Sequence, residues 1–237
     1  MAITSPVALP SPHRIASFTF DLRRFDSVDF ARSGHMTAVQ VAPPLWALHF
    51  ETTPLVFPPH PQGSEAYQAK AYQAWLDSRR GAQGAFYAHS PAHVVPQAYT
   101  EAQFAALIVA FDASSFADGL CEWENIGADR DAVDLIKMPA AMALTAGDMF
   151  SLHWDVGGSP RRSLHRLIAA STANGSGKAS VTFEPQIIGT APSTGVACLY
   201  KPSGIFRLDP DRPPQPVYLQ NKTVVITYDA IQALYRT

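Results

Sequence analysis

A mainly β fold follows from three features of this 237-residue sequence. Twenty prolines and fourteen glycines are spread along the chain and interrupt helical periodicity again and again. Val, Thr, Phe and Tyr dominate between those breaks, and several of the bounded segments alternate apolar and polar residues with period two. At 47 % hydrophobic residues the chain can build real cores, and its length suits one large or two modest domains. The expectation is two β-sandwich or barrel-like domains, with one α-helix flanking the first.

The first domain is expected over residues 1–115. Ile15-Ala-Ser-Phe18-Thr-Phe20-Asp-Leu22 alternates as a half-buried strand does, and Arg23-Arg24 closes the pattern. An apolar-rich stretch follows at Met36-Thr-Ala-Val39-Gln-Val41. Pro43-Pro44 separates it from Leu45–Glu51, where Trp46, Leu48 and Phe50 share one face. These read as neighbouring strands. Between Ser64 and Arg80 the period lengthens: Ala69, Tyr72, Trp75 and Leu76 fall on one side of a helix, with Ser64 placed to cap its start and Gly81 its end. Arg79-Arg80 in the last turn suits the negative end of the helix dipole. Gly84–His89 then resumes an extended pattern.

Asp112–Gly119 has the composition of a linker. The second domain, expected over 116–210, carries short apolar blocks at Ala132–Ile136, Leu144–Trp154, Leu164–Ile168, Lys178–Glu184 and Ala197–Tyr200. Gly, Asp and Pro turns separate them in the manner of a compact barrel or sandwich. The final segment, 211–237, contains an alternating strand at Lys222–Tyr228, expected to return to the first domain.

Composition also excludes function classes. A net charge of −2 and 16 % charged residues give no basic field for gripping a nucleic-acid backbone. No run approaches the roughly 18–20 apolar residues of a membrane span, and the N-terminus has no basic leader with an apolar core. The expected location before any release is therefore the cytoplasm. Cys121 and Cys198, the two cysteines, are too few for a metal site and read as buried small hydrophobes.

The stretch TANGSGKASVTFEP, residues 172–185, resembles the end of a phosphate-binding loop through Gly175-Ser176-Gly177-Lys178. That loop needs a glycine where Thr172 stands and a magnesium-binding hydroxyl where Ala179 stands, and it must open a helix. Here Ala179–Glu184 alternates as a strand, so the sequence predicts a turn between two strands.

Other constellations read as structural. His89 and His93 are four apart, a spacing that converges on a metal only in a helix, which Pro91 and Pro96 exclude. Asp148, His153 and His165 with Ser151 or Ser163 contain the residue types of a hydrolytic triad but no Gly-x-Ser-x-Gly elbow. Glu122 and Glu124, on either side of Trp123, would share one face of a strand; paired acids serve glycoside hydrolysis, but a solvated strand face is the favoured reading. Trp46, Trp75, Trp123 and Trp154 all sit at expected core positions. No catalytic, cofactor-binding or metal-ligating residue emerges, and the expectation is a non-enzymatic protein that works through its surfaces.

Taken in order, Phe18–Leu22, the Pro43-Pro44-Leu45-Trp46 to Pro54-Leu55 stretch, the helix ending Trp75-Leu76-Asp-Ser-Arg-Arg-Gly81-Ala-Gln-Gly84-Ala-Phe86, and His89-Ser-Pro91 resemble the first domain of distal tail proteins from long-tailed bacteriophages. Leu144–Phe150, Gly177–Pro185 and Lys201–Leu208 extend the likeness to phage tail and prophage proteins of similar length, over most of the chain. The resemblance rests on order and spacing. It implies a β-sandwich or barrel with a flanking helix, no cofactor, and assembly as a homo-oligomeric ring, commonly a hexamer. The ring would join the tail tube protein to the tail hub and to receptor-binding or fibre proteins, with the virion tail tip as its place and the host cytoplasm as its site of assembly. A proline-rich leader and the Pro210–Pro216 stretch depart from the pattern. Two other classes compete: a carbohydrate-binding host-recognition module, which an exposed aromatic pair would favour, and a cell-wall hydrolase.

Overall fold

The computed structural model describes residues 8–9, 15–30, 36–56, 68–111, 116–219 and 223–233, with backbone alone at 30, 37, 56 and 68. The protein is mainly β, 51 % strand against 14 % helix. It divides into two compact units: Met1–Arg23, Leu45–Ala88 and Ile205–Ala233 form one, and Arg24–Pro44, His89–Gly204 and Leu234–Thr237 the other. The division differs from the expected boundaries. Residues 89–111 belong with the second unit, and Ile205–Leu208 with the first.

The first unit holds the greater part of one sheet, whose first two strands continue into the Arg24–Pro44 segment assigned to the other. Its strands run in the order β1 (Ile15–Phe30), β2 (Met36–Thr52), β15 (Thr223–Gln232), β13 (Ser203–Leu208) and β4 (Ala85–His89), with short β3 (Leu55–Val56) and β14 (Gln215–Tyr218) also bonded to β15. The alternation read from sequence places the core. Trp46, Leu48 and Phe50 on β2 are buried, as are Val224, Ile226, Tyr228 and Ala230 on β15. The Phe50 and Tyr228 rings stack at 5.1 Å, and Phe20 meets both Trp46 (5.4 Å) and Phe206 (5.6 Å).

Helix α1 (Gln68–Ser78) buries Ala69, Tyr72 and Leu76, and turns the edge of Trp75 onto Phe86 at 5.1 Å. The expected cap Ser64 lies outside the described residues. At the other end the helix stops two residues before Arg80, so the arginine pair is not in its last turn. Arg80 itself takes the left-handed conformation (φ 48°) that the sequence assigned to Gly81, and Gly81 follows with φ 63°. Arg79 is buried instead. Its guanidinium donates to the Ala85 carbonyl at 3.0 Å, and burial lowers its pKa from the usual arginine value.

The second unit holds a closed six-stranded antiparallel barrel, in the order β11 (Ala179–Glu184), β6 (Ala132–Ile136), β5 (Leu120–Glu124), β12 (Thr194–Cys198), β8 (Met149–Val156) and β9 (Ser159–Leu167). Closure removes the open edges of a flat sheet. A separate two-stranded pair joins β7 (Ala143–Leu144) to β10 (Ser171–Thr172). Core residues line the barrel: Trp123 on β5, Val133 and Leu135 on β6, Phe150 and Leu152 on β8, Val181 and Phe183 on β11, with strict alternation of burial along β5, β6 and β11.

A second helix, α2 (Glu101–Ala110), precedes the barrel where the sequence suggested only an approach to a linker. A reciprocal capping box starts it: Thr100 Oγ1 accepts from the Gln103 amide at 3.2 Å, and Gln103 Oε1 accepts from the Thr100 amide at 2.9 Å. The helix buries Phe104 in the barrel's core cluster, where it meets Phe116 edge-on at 5.8 Å and stacks near Tyr200 at 6.2 Å. Two strands also differ in length. β1 continues past Arg23-Arg24 to Phe30, and β2 runs unbroken through Pro43-Pro44. The prolines fit because they lie outside the stretch of β2, Ala47–Glu51, that pairs with β15, so no ladder bond to that strand is lost.

Candidate functional site

The Gly-Lys stretch is a turn, and the donors of Ser176, Gly177 and Lys178 are spent within the protein. Asn174 Oδ1 accepts from the amides of Ser176 and Lys178, both at 3.0 Å, and from the Ser176 hydroxyl at 2.7 Å. The Gly177 amide donates to the Asn174 carbonyl at 2.9 Å, while the Gly177 carbonyl accepts from Met138 N at 3.0 Å. Lys178 enters β11, and its ammonium lies between Asp134 Oδ2 (2.9 Å) and Glu124 Oε1 (3.1 Å). Hydrogen bonding to Asp134, then to Glu124, raises the lysine's pKa. Bonds from Ser180, then Asn125 and Lys178, hold Asp134 down at about 2. A phosphate would find the Ser176, Gly177 and Lys178 amides and the lysine ammonium already engaged.

Glu122 and Glu124 do share the outward face of β5, and each meets a lysine: Glu122 pairs with Lys137, Glu124 with Lys178. Both carboxylates are thus paired with lysines on a solvated barrel wall. A general acid needs the opposite, an apolar setting that raises its pKa.

The Asp148, Ser151, Ser163, His153 and His165 group is taken apart by the barrel. Asp148 is buried in a turn, where its two oxygens accept from Gln97 N (2.8 Å) and Thr145 N (2.7 Å). His165 points into the barrel with Phe150 and Phe183, its Nδ1 2.6 Å from the Pro185 carbonyl. Full burial depresses its pKa to about 3, so the ring is neutral and Nδ1–H donates. Ser163, paired across the strands with Leu152, shares that inward face. Ser151 and His153 stay together on the other face, with Oγ to Nε2 at 2.8 Å. That contact has the geometry of a nucleophile and its base. Yet Ser151 is buried, its oxygen also receives the Ser203 amide at 3.3 Å, and burial with the nearby Arg162 charge holds His153 at about 3. An imidazole of that proton affinity is a poor base at neutral pH.

His89 closes β4 and His93 lies in the turn beyond it, so no helix aligns them. Among the described residues no group of three His, Cys, Asp or Glu is gathered to hold a metal. Cys121 and Cys198 are buried free thiols, both pushed up in pKa by burial.

The surface offers a feature that the sequence did not single out. β15 pairs with β2 only over Ala47–Glu51. Beyond it, on the distal halves of β1 and β2, Asp26–Asp29 are exposed one after another, as are Ala38–Val41. Successive strand residues face opposite ways, so among the described residues nothing covers either face of this ribbon. It bears Val28, Met36, Val39 and Val41 at 47, 63, 60 and 71 % exposure. One ion pair, Arg24 to Glu184 on β11 at 2.6 Å, holds its base. Alternation in the sequence shows the strand but not which face, if any, is buried.

What the fold defines is a class: a mainly antiparallel β protein with a closed six-stranded barrel, a helix-flanked sheet and an apolar two-stranded ribbon. No protein-family model matches the chain, and no curated protein matches it.

Proposed function

We propose that this protein is a structural subunit of the tail tip of a long-tailed bacteriophage, assembling with copies of itself into a ring that joins tail tube to hub and receptor-binding proteins. The observation that carries the reading is the bare ribbon. A two-stranded hairpin with no third strand and no covered face is marginally stable in water. One bearing four exposed aliphatic or Met side chains gains by being covered. The polar groups that might have served chemistry are engaged in holding turns and strands, which suits a part whose work is contact. The phage setting rests on the order and spacing of the segments from Phe18–Leu22 to Lys201–Leu208 given above. A glycan-binding module would be favoured by an exposed aromatic pair; among the described residues Tyr218 alone is an exposed aromatic.

Negative-stain images of the purified full chain test the proposal. Closed rings with a central opening are expected, of six copies if the commonest arrangement holds. A field of monomer-sized particles at every concentration contradicts it.

A further inference from the structure

A cavity of about 450 Å³ opens within the first unit, between the end of α1 and strands β14 and β15. Its floor is apolar: Leu76 from α1, Leu208 from β13 and Ile226 from β15, all buried. Pro214 and Pro216 form one wall. They belong to the Pro210–Pro216 stretch, and the turn that leads into it is pinned. The Asp209 amide donates to the Asp229 carbonyl at 2.9 Å, the Asp209 carbonyl accepts from Arg212 N at 3.2 Å, and Asp209 Oδ1 accepts from Asp211 N at 3.0 Å. With the fixed φ of proline added, this wall is set before any ligand arrives.

The rim carries both signs of charge. Asp77 in the last turn of α1 and Arg80 just beyond it line the same cavity, and neither side chain has a hydrogen bond or ion pair among the described residues. Residues three apart on a helix ordinarily meet. Here Arg80 has turned left-handed, with φ 48° and ψ 50°, which takes its side chain off the helical spacing. Such a conformation is strained for a residue with a Cβ, and strain of this kind gathers at ligand clamps. An occupant must therefore bring apolar bulk for the floor, an anion for the guanidinium and an N–H for the carboxylate. The last residue of a polypeptide has all three: a side chain, the α-carboxylate that fits the guanidinium fork, and its own amide N–H. We propose that this cavity binds the C-terminal end of a partner polypeptide that finishes in apolar residues, with Arg80 holding the terminal carboxylate and Asp77 accepting from the last amide. A free amino acid offers similar groups but leaves much of the 450 Å³ unfilled. The inference stands apart from the assembly reading, since none of the lining residues belongs to the ribbon.

Ligand-observed NMR titration of the full-length protein tests it, with N-acetyl-Leu-Phe as the probe beside the same peptide as its C-terminal amide and beside free phenylalanine. Saturable binding of the acid is expected, with the amide weaker by about tenfold or more, the scale of a hydrogen bond between charged groups. Arg80→Gln is expected to bring the acid down to the affinity of the amide and to leave the amide unchanged, a selectivity that general damage to the fold does not produce. Asp77→Ala, which removes the acceptor, is expected to weaken both peptides alike, with far-UV circular dichroism confirming the fold of each variant. No saturable binding of the acid overturns the proposal, as does equal binding of acid and amide, or an Arg80→Gln loss that both peptides share. Free phenylalanine binding as tightly as the peptide overturns it in favour of a small amino-acid ligand.

Discussion

Lys178 Nζ lies 2.9 Å from Asp134 Oδ2, two strands' side chains closing over the turn that the sequence makes look like a phosphate loop. Ser180 and Asn125 also donate to Asp134, so one carboxylate fixes the entry of β11, the face of β6 and the residue after β5 together. The lysine that a nucleotide would need is therefore part of the barrel wall.

Replacing Asp134 by Asn is expected to cost about 1 kcal/mol at neutral pH, the scale of a charge-assisted bond on a wet surface. The pH dependence has a definite sign. Asp134 is held near 2 in the folded protein, below the ordinary carboxylate value, so its contribution is complete above about pH 4 and is lost as the pH falls towards 2. Urea denaturation at pH 7, 4 and 2.5 should show the gap between wild type and Asp134→Asn closing across the last interval.

The two glycines of the same turn separate cleanly. Gly177 has φ +75°, and a Cβ there would lie 2.3 Å from the Met138 carbonyl oxygen; a Cβ on Gly175 meets nothing within 4 Å. Gly177→Ala is expected to destabilise by roughly 2–3 kcal/mol, from strain and the forced shift of Met138. Gly175→Ala should stay within about 0.5 kcal/mol. Paired denaturation curves check both.

His165 gives the barrel an acid-sensitive centre. Its folded pKa of about 3 lies well below the ordinary value near 6.5, so between those limits the unfolded chain binds the extra proton and stability falls as pH is lowered. At pH 5 the loss amounts to roughly 2 kcal/mol from this ring, at about 1.4 kcal/mol per pH unit. His153, also held at about 3, acts in the same direction. His165→Gln, which never charges, should be less stable at pH 7 but show about half the wild-type loss between pH 7 and 5, read by chemical denaturation at each pH.

The sequence was most informative where one periodicity was tied to one buried face. Trp46, Leu48 and Phe50 on β2, the Ala69–Tyr72–Leu76 side of α1, and the alternation of β11 and β15 are all where the pattern put them. Helix α2 escaped notice because its residues are apolar nearly all round, so no stripe stands out, although the Thr100-x-x-Gln103 capping box was present to mark its start. β1 and β2 outran their expected ends because a charged pair and a proline pair end a strand only where a neighbour needs the missing pattern or the missing N–H. The Ser151–His153 contact joins two residues on one face of β8, whereas the close approach of Trp123 to Gly195 arises from register between strands. Register depends on barrel closure and leaves no mark in local sequence.

The central claim, assembly through the ribbon, is tested most directly by solution mass from light scattering across a concentration series. Wild type is measured beside a Val39→Asp, Val41→Asp double variant, whose changes lie on one uncovered face. The account predicts that wild type rises to a fixed multiple of 25.7 kDa, while the variant remains at 25.7 kDa with unaltered circular dichroism and Tm. A wild-type mass of 25.7 kDa at every concentration, or a variant that assembles as wild type does, would contradict it.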